Sequence, residues 1–143
     1  MEKDARYYYG VGFEYLHEKE IKSAIKYFLK SLDLDCHFKT YHRLYECYNY
    51  LEEYDLANYF IKMAYESNIN NDKVAFDYSM SLVNKNEINK AKEILASIFN
   101  RNSSYKKAKE EYIKICNLAK DDCSKVSPEQ DDGSYTEQSS FDA

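Results

Sequence analysis

Three alanines recur along the chain at Ala24, Ala57 and Ala91, spaced 33 and 34 residues apart. Each has an apolar or aromatic residue three positions before it (Ile21, Tyr54, Ile88) and a large apolar residue four positions after it (Phe28, Ile61, Leu95). A small residue repeated at one place on a helical face lets a second helix approach closely. A unit of this length cannot bury its apolar face alone and must stack on its neighbours, and a period of about 34 is that of helix–turn–helix solenoids. This spacing predicts an all-α chain of three helix pairs.

Upstream of each alanine lies a second apolar face with helical periodicity: Tyr8, Val11, Gly12 and Tyr15, then Tyr41, Leu44, Tyr45 and Tyr48, then Ala75, Tyr78, Ser79 and Leu82. These are the first helices of the pairs. The second helices carry the alanines and continue one turn to Ser31, Ala64 and Ile98. Short polar turns are predicted at 17–20, 51–53 and 84–87, and connections between pairs at 33–36, 68–72 and 101–104, with Asp72 and Ser104 the clearest N-caps. The repeats fall at about 5–38, 38–71 and 72–105. A final apolar–polar pattern, with Ala108, Tyr112, Ile115, Cys116 and Ala119, predicts a capping helix over 105–120, because a solenoid end must be covered. Residues 1–120 are then one domain.

From Asp121 the composition changes. The segment 121–143 holds seven acidic residues and one lysine, a net −6, and little that could bury; it reads as a disordered acidic tail. The remaining 120 residues carry 19 basic and 18 acidic groups. A nearly neutral body has no broad basic field for phosphate, which argues against nucleic acid as a partner. The tail has three readings: a solubilising end, a segment folded back on the body through Tyr135 and Phe141 with Lys39 or Lys73 as charge partners, or a docking site for another protein. The start lacks the pattern of an export signal and no apolar run is long enough to span a membrane, so the expectation is a cytoplasmic protein with no membrane partner. Cysteines 36, 47, 116 and 123 share no metal or redox spacing with the three histidines and read as reduced thiols.

No catalytic, cofactor-binding or metal-ligating set emerges. His42 and Glu46 stand four apart on one helical face, a geometry that could pass a proton, but no third ligand or partner follows and a groove-lining polar pair is the simpler reading. There is no nucleophile elbow and no glycine-rich phosphate loop. The expectation is a protein that is not an enzyme and needs no cofactor.

The pattern resembles the tetratricopeptide repeat (TPR) family, whose signature is W-x2-L-G-x2-Y, then A-x3-F, then P. The first copy matches with Tyr8, Val11, Gly12, Tyr15, Ala24 and Phe28. The others depart from it: Tyr45 stands at the small position, Ala75 at the aromatic one, and Cys36, Ile69 and Ser103 where proline would close each repeat. The resemblance implies a right-handed helical solenoid of three TPR-like helix pairs plus a C-terminal capping helix. Its first helices would line a concave groove holding a partner peptide or helix. By register, the groove positions are Arg6, Tyr9, Phe13 and Leu16, then Lys39, His42, Glu46 and Asn49, then Lys73, Phe76, Met80 and Val83. Partner binding is expected at Tyr9, Phe13, Lys39, His42, Glu46, Lys73, Phe76 and Met80, with Tyr9, Phe13, Phe76 and Met80 as apolar anchors.

One TPR subgroup clamps a chaperone's C-terminal carboxylate. At its positions this chain has Tyr9, Phe13, Arg43 or Glu46, Lys73 and Asp77, of which only Lys73 fits, and Asp77 would repel the ligand. The resemblance therefore implies a non-enzymatic protein–protein interaction module. A type III secretion-like chaperone holding a disordered segment of an exported protein is one alternative, and a structural self-associating scaffold, a homo-oligomer, is another.

Overall fold

The computed structural model describes residues 2–124, which form seven α-helices. They run in order as α1 (Ala5–His17), α2 (Ile21–Leu34), α3 (Phe38–Tyr50), α4 (Tyr54–Ser67), α5 (Asp72–Asn84), α6 (Ile88–Arg101) and α7 (Lys106–Ser124). Each helix packs on the next in the chain, and α1 also touches α3, so the pairs α1/α2, α3/α4 and α5/α6 stack in series with α7 closing the end.

The repeated alanines are enclosed in the core on the second helix of each pair. Ala24, Ala57 and Ala91 are buried, and Phe28, Ile61 and Leu95, one turn on, are completely enclosed. The opposing position of the first pair is Gly12, where an added Cβ would lie 2.9 Å from the Phe28 ring, so the aromatic fills the space that glycine leaves. The capping helix buries Ala108 and Ile115 and sets Tyr112 edge-on against Phe99, with ring centroids 5.4 Å apart.

The turn inside each pair has one recurrent backbone form. Lys19, Glu52 and Asn86 all lie in the left-handed region, at φ 64°, 61° and 65°. In each case that residue's N–H and the next one's donate back to carbonyls of the last helical turn: Lys19 to Leu16 and Glu20 to Tyr15, Glu52 to Asn49 and Glu53 to Tyr48, Asn86 to Val83 and Glu87 to Leu82. This is the Schellman closure, which usually takes glycine at the left-handed position. Lys19 and Glu52 hold it with a side chain that disfavours it.

The first helices begin on side-chain caps. Asp4, His37 and Asn71 accept from the backbone N–H of Tyr7, Lys39 and Val74. The third cap corrects the expectation of Asp72. Asn71 takes the extended cap conformation, and Asp72 falls inside the first turn of α5, where its carboxylate accepts from Arg101 (2.7 Å) and Asn102 (2.8 Å) and ties the start of α5 to the end of α6. Ser104 is likewise not a cap: its hydroxyl donates to Asn102 and it precedes α7 by a further residue. Helix α7 continues past Lys120 to Ser124, and the rest of the acidic tail, with Tyr135 and Phe141, lies outside the described residues. Among the described residues no helix is long and apolar enough to cross a membrane.

Candidate functional site

The first helices α1, α3 and α5 bring their register-equivalent residues side by side, and two polar bridges run across them. Between the first two pairs, Arg43 is the hub. Its Nε donates to the Tyr9 hydroxyl (3.0 Å), its Nη1 donates to Glu46 (2.9 Å), and its guanidinium lies over the Phe13 ring, 4.9 Å from the centroid. Burial alone would lower the pKa of Arg43, but its bonds to Tyr9 and Glu46 outweigh that and raise it. Between the second and third pairs, His42 Nε2 donates to Asp77 (2.7 Å), whose other oxygen accepts from Lys73 (3.1 Å). The His42 and Asp77 side chains are each only 12% exposed.

The expected His42–Glu46 pair is therefore not formed. Arg43, one turn before Glu46, claims that carboxylate, and His42 reaches across to the next repeat. Asp77 is not a free acid facing a ligand, since His42 and Lys73 satisfy it. The Tyr45 ring stacks on His42 with centroids 5.8 Å apart and planes 9° from parallel. Burial, followed by the charges of Asp77 and Glu46, pushes the Tyr45 phenol up to about 12.

The expected anchors divide. Tyr9 is half-buried and stacks on Phe13, which is 36% exposed. Met80, Val83 and Leu16 are half-buried against the core, and Asn49 is exposed. Phe76 is 9% exposed, beneath Tyr105 at 6.0 Å between centroids and the Lys107 ammonium at 5.7 Å, so the approach to α7 encloses this ring and it offers no free anchor. Lys39 is exposed and lines two adjoining clefts, one of about 360 Å³ with Arg6, Tyr9 and Thr40, the other of about 320 Å³ with His42, Arg43 and Lys73.

Arg43 is the residue whose central place the sequence reading passed over, although a signal was present. Tyr9 and Arg43 stand 34 residues apart and His42 and Asp77 stand 35 apart, one repeat in each case, the separation that sets two first helices abreast. Among the described residues no group of three or more His, Cys, Asp or Glu is placed to hold a metal ion.

No protein-family model matches the chain, and no curated protein matches it in sequence. Solved structures do. The first TPR of Spaghetti (RPAP3), bound to an HSP90 peptide, superposes with a TM-score of 0.70 at 17% identity over 81% of this chain and 95% of that one. YrrB, a TPR protein with an unusual peptide-binding site, gives 0.70 at 23% identity over 81% of this chain, which spans 60% of YrrB. The Yersinia enterocolitica type III secretion chaperone SycD, in complex with a peptide of the translocator YopD, gives 0.60 at 20% identity, covering 78% and 86%. The chain has the tetratricopeptide-repeat fold. In TPR terms α1, α3 and α5 are the first helices of the repeats and α2, α4 and α6 the second, so both polar bridges join first helices of neighbouring repeats. The TPR frame also makes the first repeat's stack of Tyr8, Tyr27 and Tyr15 the counterpart of Tyr41, Phe60 and Tyr48 in the second, where Tyr41 and Phe60 are buried.

Proposed function

We propose that the protein is a non-enzymatic protein–protein interaction module whose concave face receives a partner peptide or helix. The observation that carries this reading is the groove wall. Tyr9 and Phe13 are held stacked by Arg43 and remain partly exposed, beside open clefts that Lys39 and Lys73 line. Fixed aromatic side chains bind at low entropic cost and are favoured anchors at interfaces. The polar centre is preorganised by bonds between repeats, so a ligand meets a shaped surface. The peptides named with the RPAP3 and SycD structures support a groove of this kind as a peptide site.

A pull-down with mass spectrometry tests it. Phe13→Ala with Met80→Ala should weaken partner capture by the full chain at least fivefold while leaving the helical circular dichroism unchanged; undiminished capture would remove the groove from the interaction. The likeness to SycD favours a narrower second reading, a chaperone for a segment of an exported protein. On that reading, the captured partners would share an unstructured segment and would lose solubility when expressed without this chain.

A further inference from the structure

The second residue of each of α1, α3, α5 and α7 is a cation: Arg6, Lys39, Lys73 and Lys107, spaced by 33, 34 and 34 residues. All four side chains are exposed. The first three share a continuous neighbourhood, since Arg6 and Lys39 line one cleft and Lys39 and Lys73 the next, and Lys107 lies over the Phe76 ring of α5. The placement runs against local preference. The first turn of a helix carries the positive end of its dipole and favours acids, so a cation there costs stability at each of four helices. Local rules broken at one register point to function. Acids stand nearby, Glu2, Asp4 and Asp35 in clefts with Arg6 and Glu46 in the cleft of Lys39 and Lys73, but among the described residues only Lys73 of the four cations forms an ion pair, with Asp77.

We infer that this row is a basic ladder that binds an acidic peptide segment in extended form, one carboxylate per repeat. The inference rests on the concave face being the ligand surface. Side-chain bridges hold neighbouring first helices together, and packed helices stand about 8–10 Å apart; an extended polyproline-II chain rises about 3.1 Å per residue and puts every third side chain on one face. The ladder therefore selects acids at about every third residue, over roughly a dozen residues. It reads internal side chains and needs no free C-terminus.

Fluorescence anisotropy on the full chain tests this, using a labelled, C-terminally amidated 12-residue peptide with Glu at every third position and Gly or Ser elsewhere. Binding should weaken on raising salt. Lys39→Ala and Lys73→Ala should each weaken it about threefold, the range of an exposed ion pair, and Lys39→Glu should weaken it further. A peptide with the same four Glu in one block should bind at least fivefold less tightly. Equal binding of the two peptides, no binding of either, or an equal loss from Lys62→Glu on α4 would overturn the ladder. An oligouridylate of the same charge binding as tightly would overturn its assignment to peptides. If Phe13→Ala with Met80→Ala abolishes partner capture while the ladder variants leave both assays unchanged, the groove stands and the ladder fails.

Discussion

At the scale of single residues, the two glycines of α1 are opposite cases. A Cβ at Gly12 would press into the Phe28 ring at 2.9 Å, whereas one at Gly10 meets nothing within 4 Å. Gly12→Ala should therefore cost about 1–3 kcal/mol through overpacking, and Gly10→Ala should add about 0.5–1 kcal/mol by removing backbone freedom from an exposed helical site. Urea denaturation of both variants checks the contrast, and equal shifts would refute it. The thiols separate in the same way. Burial, then the Glu46 charge, pushes the Cys47 thiol up to about 12, while Cys36 is exposed. A thiol reagent at about pH 8.5, near the ordinary thiol pKa, should label Cys36 in the folded protein and reach Cys47 only at the rate of unfolding, which timed mass spectrometry would show. Gly12 was legible in the sequence because it falls at the small position of the repeat. The exchange of partners around His42 was not, because a helical face shows which residues are four apart and cannot show that Arg43 takes Glu46 first.

At the scale of helices and turns, the three Schellman closures are one device at one register. Lys19 and Glu52 hold a conformation in which a Cβ crowds the following carbonyl, at about 1–2 kcal/mol for an L-residue. Glycine relieves that but brings about 0.5–1 kcal/mol of entropy, so Glu52→Gly should raise stability by about 0.5–1 kcal/mol, read from the denaturation midpoint. A lowered midpoint would show that the Glu52 side chain does more than close a turn. The start of α5 gives a pH dependence. Burial alone would raise the Asp72 pKa, but bonds from Asn102 and Arg101 outweigh it and hold the carboxylate below its ordinary value. A depressed folded pKa gives stability that is present above about pH 4 and is lost as pH falls through the lower value. Asp72→Asn should flatten that acid limb, and a melting midpoint with unchanged pH dependence would contradict the assignment. Helix positions were legible to within a few residues because the alanines and their apolar partners recur in every pair. The cap of α5 was missed by one residue: Asn68, Asn70, Asn71 and Asp72 all carry capping side chains, and only the backbone chooses among them.

At the scale of the whole molecule, the sequence carries the stack, which follows from one period, while which helices face inward is what the resemblance to tetratricopeptide repeats implies. The sequence does not carry the enclosure of Phe76, which depends on where α7 and Tyr105 come to rest, or the coupling of neighbouring repeats through Tyr9–Arg43 and His42–Asp77. Those bridges join units that otherwise meet through apolar contact and, between the second and third pairs, through the Ser81 hydroxyl donating to Asn58 (2.6 Å). In a stacked array, stability is close to a sum of unit and interface terms, so cutting one bridge should loosen one joint more than the others. Arg43→Leu should speed amide hydrogen exchange in α1 and α2 more than in α5 and α6; a uniform change would show that the array unfolds as one body. The crowded tyrosines have an optical consequence. The chain has sixteen tyrosines and no tryptophan, and rings such as Tyr8, Tyr15 and Tyr27 lie 5.5–6.3 Å apart. A single indole placed at Phe13 would be the only long-wavelength emitter in the molecule, fed by the phenols around it, and its colour would report whatever entered the groove.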